Sequence, residues 1–188
     1  EIYTLSLHDA LPIFLPRQAV ASLKKGRRIE ELEQFALNDS MTGFYNRNAY
    51  DYFIYNEKNI KNYMVVTFDL NNLKMCNDNY GHSSGDAYII HSAHIIETTF
   101  DRFGKCYRIG GDECCCLIPD AAEFQIERFI QKMQQDIAIL NNKNIIPTEV
   151  GIACGYALAT PDDADIEKVR ERADEMMYHN KKVLKGLI

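Results

Sequence analysis

The feature that most constrains the fold is an apolar run over residues 63–70 that is interrupted by a single carboxylate near its end. The run is β-branched and aromatic, which is typical of a buried β-strand. The interrupting residue is Asp69, and a charge in such a position is costly unless it is paired, hydrogen-bonded or bound to a metal. Alone, Asp69 is equally well explained as the cap of a helix that starts near Asn71. The run therefore predicts a buried strand whose acid needs a partner.

Two more short strands are predicted over residues 105–109 and 114–118, with Gly110 and Gly111 between them. A tight hairpin needs residues that accept a positive φ, and glycine does so without steric cost. This pattern predicts an antiparallel hairpin within the sheet.

The spacing of apolar residues and the turn residues predict the remaining elements. The predicted elements are helices over 19–37, 47–61, 71–80, 86–100, 121–140 and 162–185, a loop over 81–85 and a strand over 149–158. Asp162 and Asp163 suit the N-terminus of the last helix. Two helix-covered halves around a central hairpin predict an α+β fold, with a central mixed, mainly antiparallel sheet of about five strands covered by helices.

Composition limits the class of partner. A chain of 188 residues fits one domain plus a short extension, and a net charge of −6 argues against broad attraction to nucleic acid or an anionic membrane. A polyanionic ligand must therefore be held locally, by a metal cation and a few lysines. The six cysteines lack the C-x-x-C spacing of a zinc site, and residues 114–116 are expected to be small buried strand residues, as suits a reducing cytosol. No apolar run in this segment is long enough to predict a membrane span.

Residues 3–13 match one reading frame of a common short-read sequencing adapter, so we interpret residues 1–13 as a non-native segment. A genuine amphipathic segment is the other explanation. If the first interpretation is right, the natural N-terminus is missing and the true protein is longer. We divide the rest into a linking helix over residues 14–38 and one domain over residues 39–188.

Three acids form a candidate metal site. Asp112 and Glu113 directly follow the hairpin glycines, where solvated turn acids are common and are weak evidence by themselves. An acid at a strand end, Asp69, beside an acidic hairpin on a neighbouring strand suits Mg²⁺, which prefers hard oxygen ligands and keeps waters and substrate phosphates in its shell. Such an ion would lower the pKa of a ribose hydroxyl and neutralise charge at phosphorus.

A dense polar run over residues 71–86 contains a pair of side chains suited to guanine. The Asn77 amide can donate to an acceptor edge of the base, and the Asp86 carboxylate can accept from the N1 and N2 donors that adenine lacks. Taken singly, each is better explained as a helix cap than as a base contact. Lys74 is either a solvated lysine or a charge donor to a transition state, and His82 is explained as a loop hydrogen-bonder.

Two lysines complete the candidates. Lys181 and Lys185 are four residues apart on the last predicted helix and so share a face. Their simplest explanation is a basic final turn that complements the helix dipole.

Together these signals resemble one family, the GGDEF domains or diguanylate cyclases, from about residue 38 to residue 185. Five segments match motifs of that family in order: DSMTGFYNR at 39–47, DLNNLKMCND at 69–78, GHSSGD at 81–86, RIGGDEC at 108–114 and ADEMMY at 173–178. The resemblance implies a nucleotide-cyclase-like palm that condenses two GTP molecules into cyclic di-GMP and releases two pyrophosphates. It further implies Mg²⁺ or Mn²⁺, a homodimer in which each domain holds one GTP, a cytoplasmic location and an N-terminal sensor domain.

Residue by residue, the resemblance implies a role for each candidate. It assigns the metal to Asp69, the carbonyl of Leu70, Asp112 and Glu113, proton acceptance to Asp112, transition-state stabilisation to Lys74, substrate contacts to Asn77, His82 and Asp86, and phosphate contacts to Lys181 and Lys185. The family's Gly-Arg-Asn after Lys181 is absent, which weakens the match at Lys185.

Several positions depart from the family pattern. Cys114 replaces the last Phe of the signature and is expected to pack inward, so that packing changes and chemistry does not. Asn71 replaces a second Asp, and Leu73 replaces a Phe. Asp101 and Gly104 stand where the product-inhibition motif R-x-x-D would have Arg and Asp, so the resemblance implies no feedback inhibition through that site.

Three other functions remain open from the sequence. One is a catalytically inactive GGDEF domain that binds GTP or cyclic di-GMP as a sensor, although Asp69, Lys74, Asp112 and Glu113 are all retained. Another is a different nucleotide cyclase or a polymerase-palm enzyme. Asp86 argues against it, because its carboxylate would favour guanine over adenine. The third is a structural dimerisation module built on the helix over residues 19–37, which leaves the acidic hairpin unexplained.

The adapter interpretation gives a direct prediction. Sequencing the native genomic locus is expected to find different codons upstream of the domain and a longer reading frame. Genomic codons that encode residues 3–13 as they stand would contradict it.

Overall fold

The central strand, β1 (Met64–Asn71), is buried at all eight of its positions. It lies in one sheet with β2 (Lys105–Arg108), β3 (Glu113–Ile118) and β4 (Gly151–Leu158), in the order β2-β3-β1-β4. A strand with neighbours on both edges and helices on both faces has no solvated side, which explains its nearly continuous apolar run. The computed structural model describes residues 36–56, 61–121, 125–184 and 186.

The predicted α+β class is confirmed, with a simpler sheet than expected. Among the described residues, the three strand pairings are antiparallel, and parallel pairing is confined to an isolated bridge between Tyr45 and Tyr107. The sheet of this part of the chain has four strands where about five were predicted, because only the four apolar runs form ladders.

Helices cover both faces of the sheet. The helices in the described residues are α1 (Arg47–Asn56), α2 (Leu73–Tyr80), α3 (His82–Phe100), α4 (Ile126–Asn142) and α5 (Ile166–Leu184). Phe68 of β1 belongs to the same buried cluster as Met133 of α4, whereas Val65 belongs to a second cluster with Val169 of α5. Successive strand residues point to opposite faces, so the odd-numbered residues of β1 face the side of α5.

The prediction of a loop over residues 81–85 is wrong, because α2 ends at Tyr80 and α3 begins at His82. Gly81 alone separates the two helices, with a φ of 83° that glycine adopts without strain. The Gly81 N–H donates to the Asn77 carbonyl at 2.9 Å and closes α2. The glycines and serines of this segment suggested a loop, but a single residue makes the turn.

The expectation that Asp162 and Asp163 begin the last helix is also wrong, because α5 starts at residue 166. Asp165 caps it, since its Oδ1 accepts a hydrogen bond at 3.0 Å from the backbone N–H three residues on. Asp163 instead fixes the loop before the helix, where its carboxylate lies 2.6 Å from a guanidinium nitrogen of Arg172.

Of the two hairpin glycines, Gly110 is required by a close contact and not by a positive φ. Neither Gly110 nor Gly111 has a positive φ, which contradicts the expectation from the sequence. The turn is closed by the N–H groups of Ile109 and Gly110, which donate to the Glu113 carbonyl at 3.0 and 3.2 Å. A Cβ at Gly110 would lie 3.2 Å from Glu113 Oε2 and 3.3 Å from its Cβ, so the close approach of the Glu113 side chain favours glycine there.

The cysteines at 114–116 are buried strand residues, as predicted. All six are free and buried, and Cys114 packs inward in the cluster that contains Phe68. Burial raises the pKa of the Cys114 thiol to about 12, so the thiol stays protonated and unreactive near neutral pH.

The other predicted strands and helices of the described residues are present, with ends shifted by a few residues. The proposed non-native segment over residues 1–13 and nearly all of the linking helix over residues 14–38 lie outside the described residues, so both remain predictions. Within the part of the chain that is described, no helix is both long and apolar enough to cross a membrane.

The contact between α5 and β4 gives a stability prediction. A Cβ at Gly155 would lie 2.2 Å from both the Ala173 carbonyl oxygen and the Met177 nitrogen, which are backbone atoms that cannot turn aside. Gly155→Ala is therefore expected to push α5 off the sheet and lower the free energy of unfolding by about 3 kcal/mol. Urea denaturation measures this. Gly111→Ala is the control, because a Cβ there meets nothing within 4 Å; equal midpoints for the two variants would contradict the packing argument.

Candidate active site

The candidate site lies where β1 meets the hairpin between β2 and β3. Asp69 of β1 is paired with Glu113 of β3, and directly paired residues project from the same face of a sheet. The Asp112 carbonyl accepts a hydrogen bond from the Leu70 N–H at 2.9 Å, which joins the hairpin to the end of β1. The predicted strand acid and the two hairpin acids are therefore neighbours at one end of the sheet.

Asp69 is held by a lysine from the last helix. Lys181 Nζ lies 2.7 Å from Asp69 Oδ2, and the side chain of Asp69 is only 9 % exposed. The other carboxylate oxygen, Oδ1, is buried and has no hydrogen-bond partner. The helix-cap explanation of Asp69 is excluded, because the residue at the start of α2 is Asn72 and α2 has no side-chain cap.

The unpartnered Oδ1 of Asp69 is the observation that bears on whether these residues could bind a metal ion. An unpartnered oxygen of this kind is costly, and a divalent cation such as Mg²⁺ would satisfy it. The three predicted acids are not gathered into a cluster, however, since the described residues contain no group of three or more His, Cys, Asp or Glu side chains that could hold a metal ion. The Lys181 ammonium lies against Asp69, and the Glu113 side chain lies beside Gly110. Asp69 thus fits a metal, while the full ligand set predicted from the sequence is not assembled.

An open cleft of about 460 Å³ lies along the start of α2. Of the predicted site residues, Leu70, Lys74, Asp112 and Lys181 line it. The other lining residues, to which the sequence gave no role in the site, are Asn71, Asn72, Leu73, Met75, Asp78 and Asn79. The volume is typical of a small-molecule site, and the two lysines supply positive charge for an anionic ligand.

The predicted substrate contacts other than the lysines lie outside the lining of this cleft, on α2 and α3. Asn77 is on α2, and His82 and Asp86 are in the first turns of α3. Asn77 lies against Gly85, because a Cβ on Gly85 would be 1.9 Å from Asn77 Oδ1. This contact brings the Asn77 amide to the helical turn that carries Asp86. Lys185 lies outside the described residues.

Arg108 braces the hairpin, a role that the sequence analysis missed. Its guanidinium donates to Asp39 Oδ1 at 3.1 Å and to the Gly111 carbonyl at 2.8 Å. Asp39 Oδ1 also accepts from the Thr42 N–H at 2.9 Å, so the same carboxylate closes the turn that follows it. Burial pushes the pKa of Asp39 upward, but the hydrogen bonds from Thr42 and Arg108 outweigh it and hold that pKa below its ordinary value. Both Arg108 and Asp39 belong to family motifs, so the signal was available.

Tyr88 clamps the strand ends at the cleft, and it was also missed. This buried residue of α3 donates to the carbonyl of Asn71, where β1 ends, and accepts from the N–H of Gly151, where β4 begins, at 2.7 Å. Burial raises the pKa of Tyr88 to about 12, so the hydroxyl remains a donor at neutral pH. A tyrosine on the apolar stripe of a helix gives no sequence signal for such a clamp.

Comparison with protein families matches residues 36–185 to the family described as Diguanylate cyclase, GGDEF domain. The diguanylate cyclase DgcN of Escherichia coli (strain K12) is 30 % identical over 157 residues, covering 80 % of this chain and 38 % of the relative. The diguanylate cyclase DgcS of Shewanella oneidensis is 26 % identical over 168 residues, covering 85 % and 54 %. The cyclic di-GMP phosphodiesterase PdeR of Escherichia coli is 29 % identical over 178 residues, covering 93 % and 27 %. The chain therefore spans about half or less of the length of these curated relatives.

Solved structures show the same fold. The coiled coil and GGDEF domain of DgcB from Caulobacter crescentus, solved in complex with c-di-GMP, aligns with a TM-score of 0.75 at 21 % identity and covers 92 % of this chain and 95 % of that one. The diguanylate cyclase SiaD from Pseudomonas aeruginosa, solved with its activator SiaC, aligns with a TM-score of 0.67 at 20 % identity and covers 88 % and 70 %. At these identities the likeness establishes the fold alone.

The contact between Gly85 and Asn77 gives a prediction for base recognition. In Gly85→Ala the new methyl group meets the end of a flexible side chain, so we expect Asn77 to turn away while the helices stay folded. If Asn77 contacts the base, GTP affinity measured by calorimetry should fall about 10-fold, as it should in Asn77→Ala. Ser84→Ala is the neighbouring control. Unchanged GTP affinity in a folded Gly85→Ala protein would contradict a base contact by Asn77.

Proposed function

The chain belongs to the GGDEF domain family, and on that premise we propose that it is a diguanylate cyclase domain that condenses two GTP molecules into cyclic di-GMP. The observation that carries the proposal is Asp69, a strand-end carboxylate with one oxygen paired to Lys181 and the other buried without a partner. Its neighbour Leu70 and its partner Lys181 line a cleft together with Lys74 and Asp112. A buried acid, a hairpin acid and two lysines around one cleft suit a magnesium nucleotide better than a purely structural role.

The residues that would hold Mg²⁺ or Mn²⁺ are Asp69, the carbonyl of Leu70 and Asp112, with support from Glu113. When bound, a divalent ion would neutralise phosphate charge and lower the pKa of a ribose 3′-hydroxyl. Asp69 and Asp112 reach the site from β1 and from the hairpin, which the hydrogen bond between the Leu70 N–H and the Asp112 carbonyl holds together. This backbone link would keep the two acids in register during turnover.

In the proposed reaction, Asp112 accepts the proton of the 3′-hydroxyl of one GTP. The 3′-oxygen forms a bond to the α-phosphorus of the other GTP, and the bond from that phosphorus to the pyrophosphate oxygen breaks. Lys74, which lines the cleft, donates to the charge that develops on the phosphate oxygens. Two such steps close the ring and release two pyrophosphates.

Substrate selection is assigned to residues outside the lining of the cleft. We propose that Asn77 and Asp86 hydrogen-bond guanine, with Asp86 accepting from the N1 and N2 donors, and that His82 is a further substrate contact. Lys181 and Lys185 are proposed phosphate contacts. Because each domain would hold a single GTP, the reaction requires two domains face to face, as a homodimer. The whole protein is proposed to be longer, to have an N-terminal sensor domain and to present this domain in the cytoplasm.

One observation favours a second function, a catalytically inactive GGDEF domain that binds GTP or cyclic di-GMP as a sensor. The described residues do not gather three carboxylates into a metal cluster, and Lys181 already neutralises Asp69. Incubation of the purified chain with GTP and Mg²⁺ or Mn²⁺, followed by chromatography, separates the two proposals. Cyclic di-GMP formation supports the enzyme, and nucleotide binding without product supports the sensor.

The catalytic proposal predicts the effect of Asp112→Ala. Because Asp112 is exposed, its removal should leave the thermal melting temperature nearly unchanged. Loss of both a proton acceptor and a metal ligand should lower the rate of cyclic di-GMP formation by at least about 100-fold. Asp162→Ala removes an exposed acid at the other end of the sheet and should keep wild-type activity. A folded, fully active Asp112→Ala protein would falsify the assignment of Asp112.

A further inference from the structure

The ion pair between Lys181 and Asp69 joins the last helix to the central strand across 112 positions of the chain. The Lys181 side chain is 25 % exposed and also lines the cleft, whereas the Asp69 side chain is 9 % exposed. The ammonium group therefore stands between a buried carboxylate and the space that an anionic ligand would occupy.

This ammonium balances the charge of the Asp69 carboxylate but satisfies only one of its two oxygens. It bonds to Oδ2, while Oδ1 is buried and has no hydrogen-bond partner. A buried charge that loses its partner is strongly destabilising, so Asp69 needs a cation whether or not a ligand is present. In this structure Lys181 supplies that cation, although it satisfies one oxygen alone.

A divalent ion at Asp69 would compete with this lysine. A divalent cation and an ammonium group within a few ångströms repel each other. The single negative charge of the carboxylate that they share cannot balance their three positive charges. A bound triphosphate changes the balance, because it offers the ammonium a second anion in the same cleft. The four-carbon stem of lysine is flexible, and Lys181 lies in the last turns of α5. A short movement of this side chain would therefore bring its ammonium group from Asp69 to the triphosphate.

We propose that Lys181 is an exchangeable counter-cation that neutralises Asp69 before substrate binds and moves to the triphosphate when metal and nucleotide enter together. The inference rests on the proposed function, since it takes the metal and the triphosphate from there. The consequence is that metal binding and nucleotide binding are thermodynamically linked. Metal alone binds weakly because it must displace Lys181 from Asp69, and nucleotide raises the metal affinity because its triphosphate binds Lys181 instead. The effect is reciprocal, so metal raises nucleotide affinity by the same factor.

The test measures Mn²⁺ binding to the purified chain by electron paramagnetic resonance, without nucleotide and with a GTP analogue whose α,β-bridging oxygen is a methylene group. Lys181→Met keeps a side chain of similar length without its charge. It is expected to bind Mn²⁺ alone about 10-fold more tightly than the wild-type chain and to lose most of the enhancement by the analogue. Lys182→Met is the matched control, because the Lys182 ammonium lies over the Tyr178 ring at 4.4 Å; it should behave like the wild-type chain.

A second variant covers the case in which Lys181→Met does not fold. Lys181→Arg keeps the charge and can hold the carboxylate through two parallel hydrogen bonds, so it should bind Mn²⁺ alone more weakly than the wild-type chain. Wild-type Mn²⁺ affinity in folded Lys181→Met, or unchanged affinity in Lys181→Arg, would overturn this inference and leave the proposed function standing. No Mn²⁺ binding by the wild-type chain, even with the analogue, would overturn both.

Discussion

The charge of Asp69, at the end of a fully buried strand, is the constraint on which the site depends. Such a carboxylate must be compensated, and the compensation comes from the last helix through Lys181. Lys181 can reach it because α5 lies very close to β4 at Gly155, where any side chain would strike the helix backbone. The close packing at Gly155 and the ion pair of Lys181 are therefore connected, because the distance between β4 and α5 determines whether Lys181 can reach Asp69.

The strands could be predicted because buried strands consist almost entirely of apolar residues. Each apolar run became a strand, since a strand covered on both faces tolerates few polar residues. The start of α3 and the start of α5 were predicted wrongly for a different reason. Gly85 was interpreted as part of a loop, although it lies within α3. A larger residue at this position would clash with the Asn77 side chain. Asp162 and Asp163 are as suitable for a helix cap as Asp165, and only the path of the preceding loop decides among them.

The site could be predicted in part, and the division follows the range of the interactions. Motif resemblance picked out Leu70, Lys74, Asp112 and Lys181, which line one cleft. It could not predict that Lys181 pairs with Asp69, because that contact depends on how α5 crosses the sheet. The brace from Arg108 to Asp39 and the clamp from Tyr88 are likewise tertiary contacts between distant segments. Residue types show what chemistry is available, whereas the partner of each residue depends on the fold.

These contacts divide the site into a fixed frame and adaptable charges. The frame consists of backbone held by buried or partly buried groups: Arg108 ties the hairpin to the turn at Asp39, and Tyr88 ties the end of β1 to the start of β4. The charges that would meet a ligand are on long side chains at its surface, such as Lys74 and Glu113. A frame of this kind can hold the acids in register while the cations move, because rearranging a lysine or a glutamate disturbs no strand pairing. The absence of a complete carboxylate cluster in the described residues is then compatible with catalysis, since the movable groups can complete the site when metal and triphosphate arrive together.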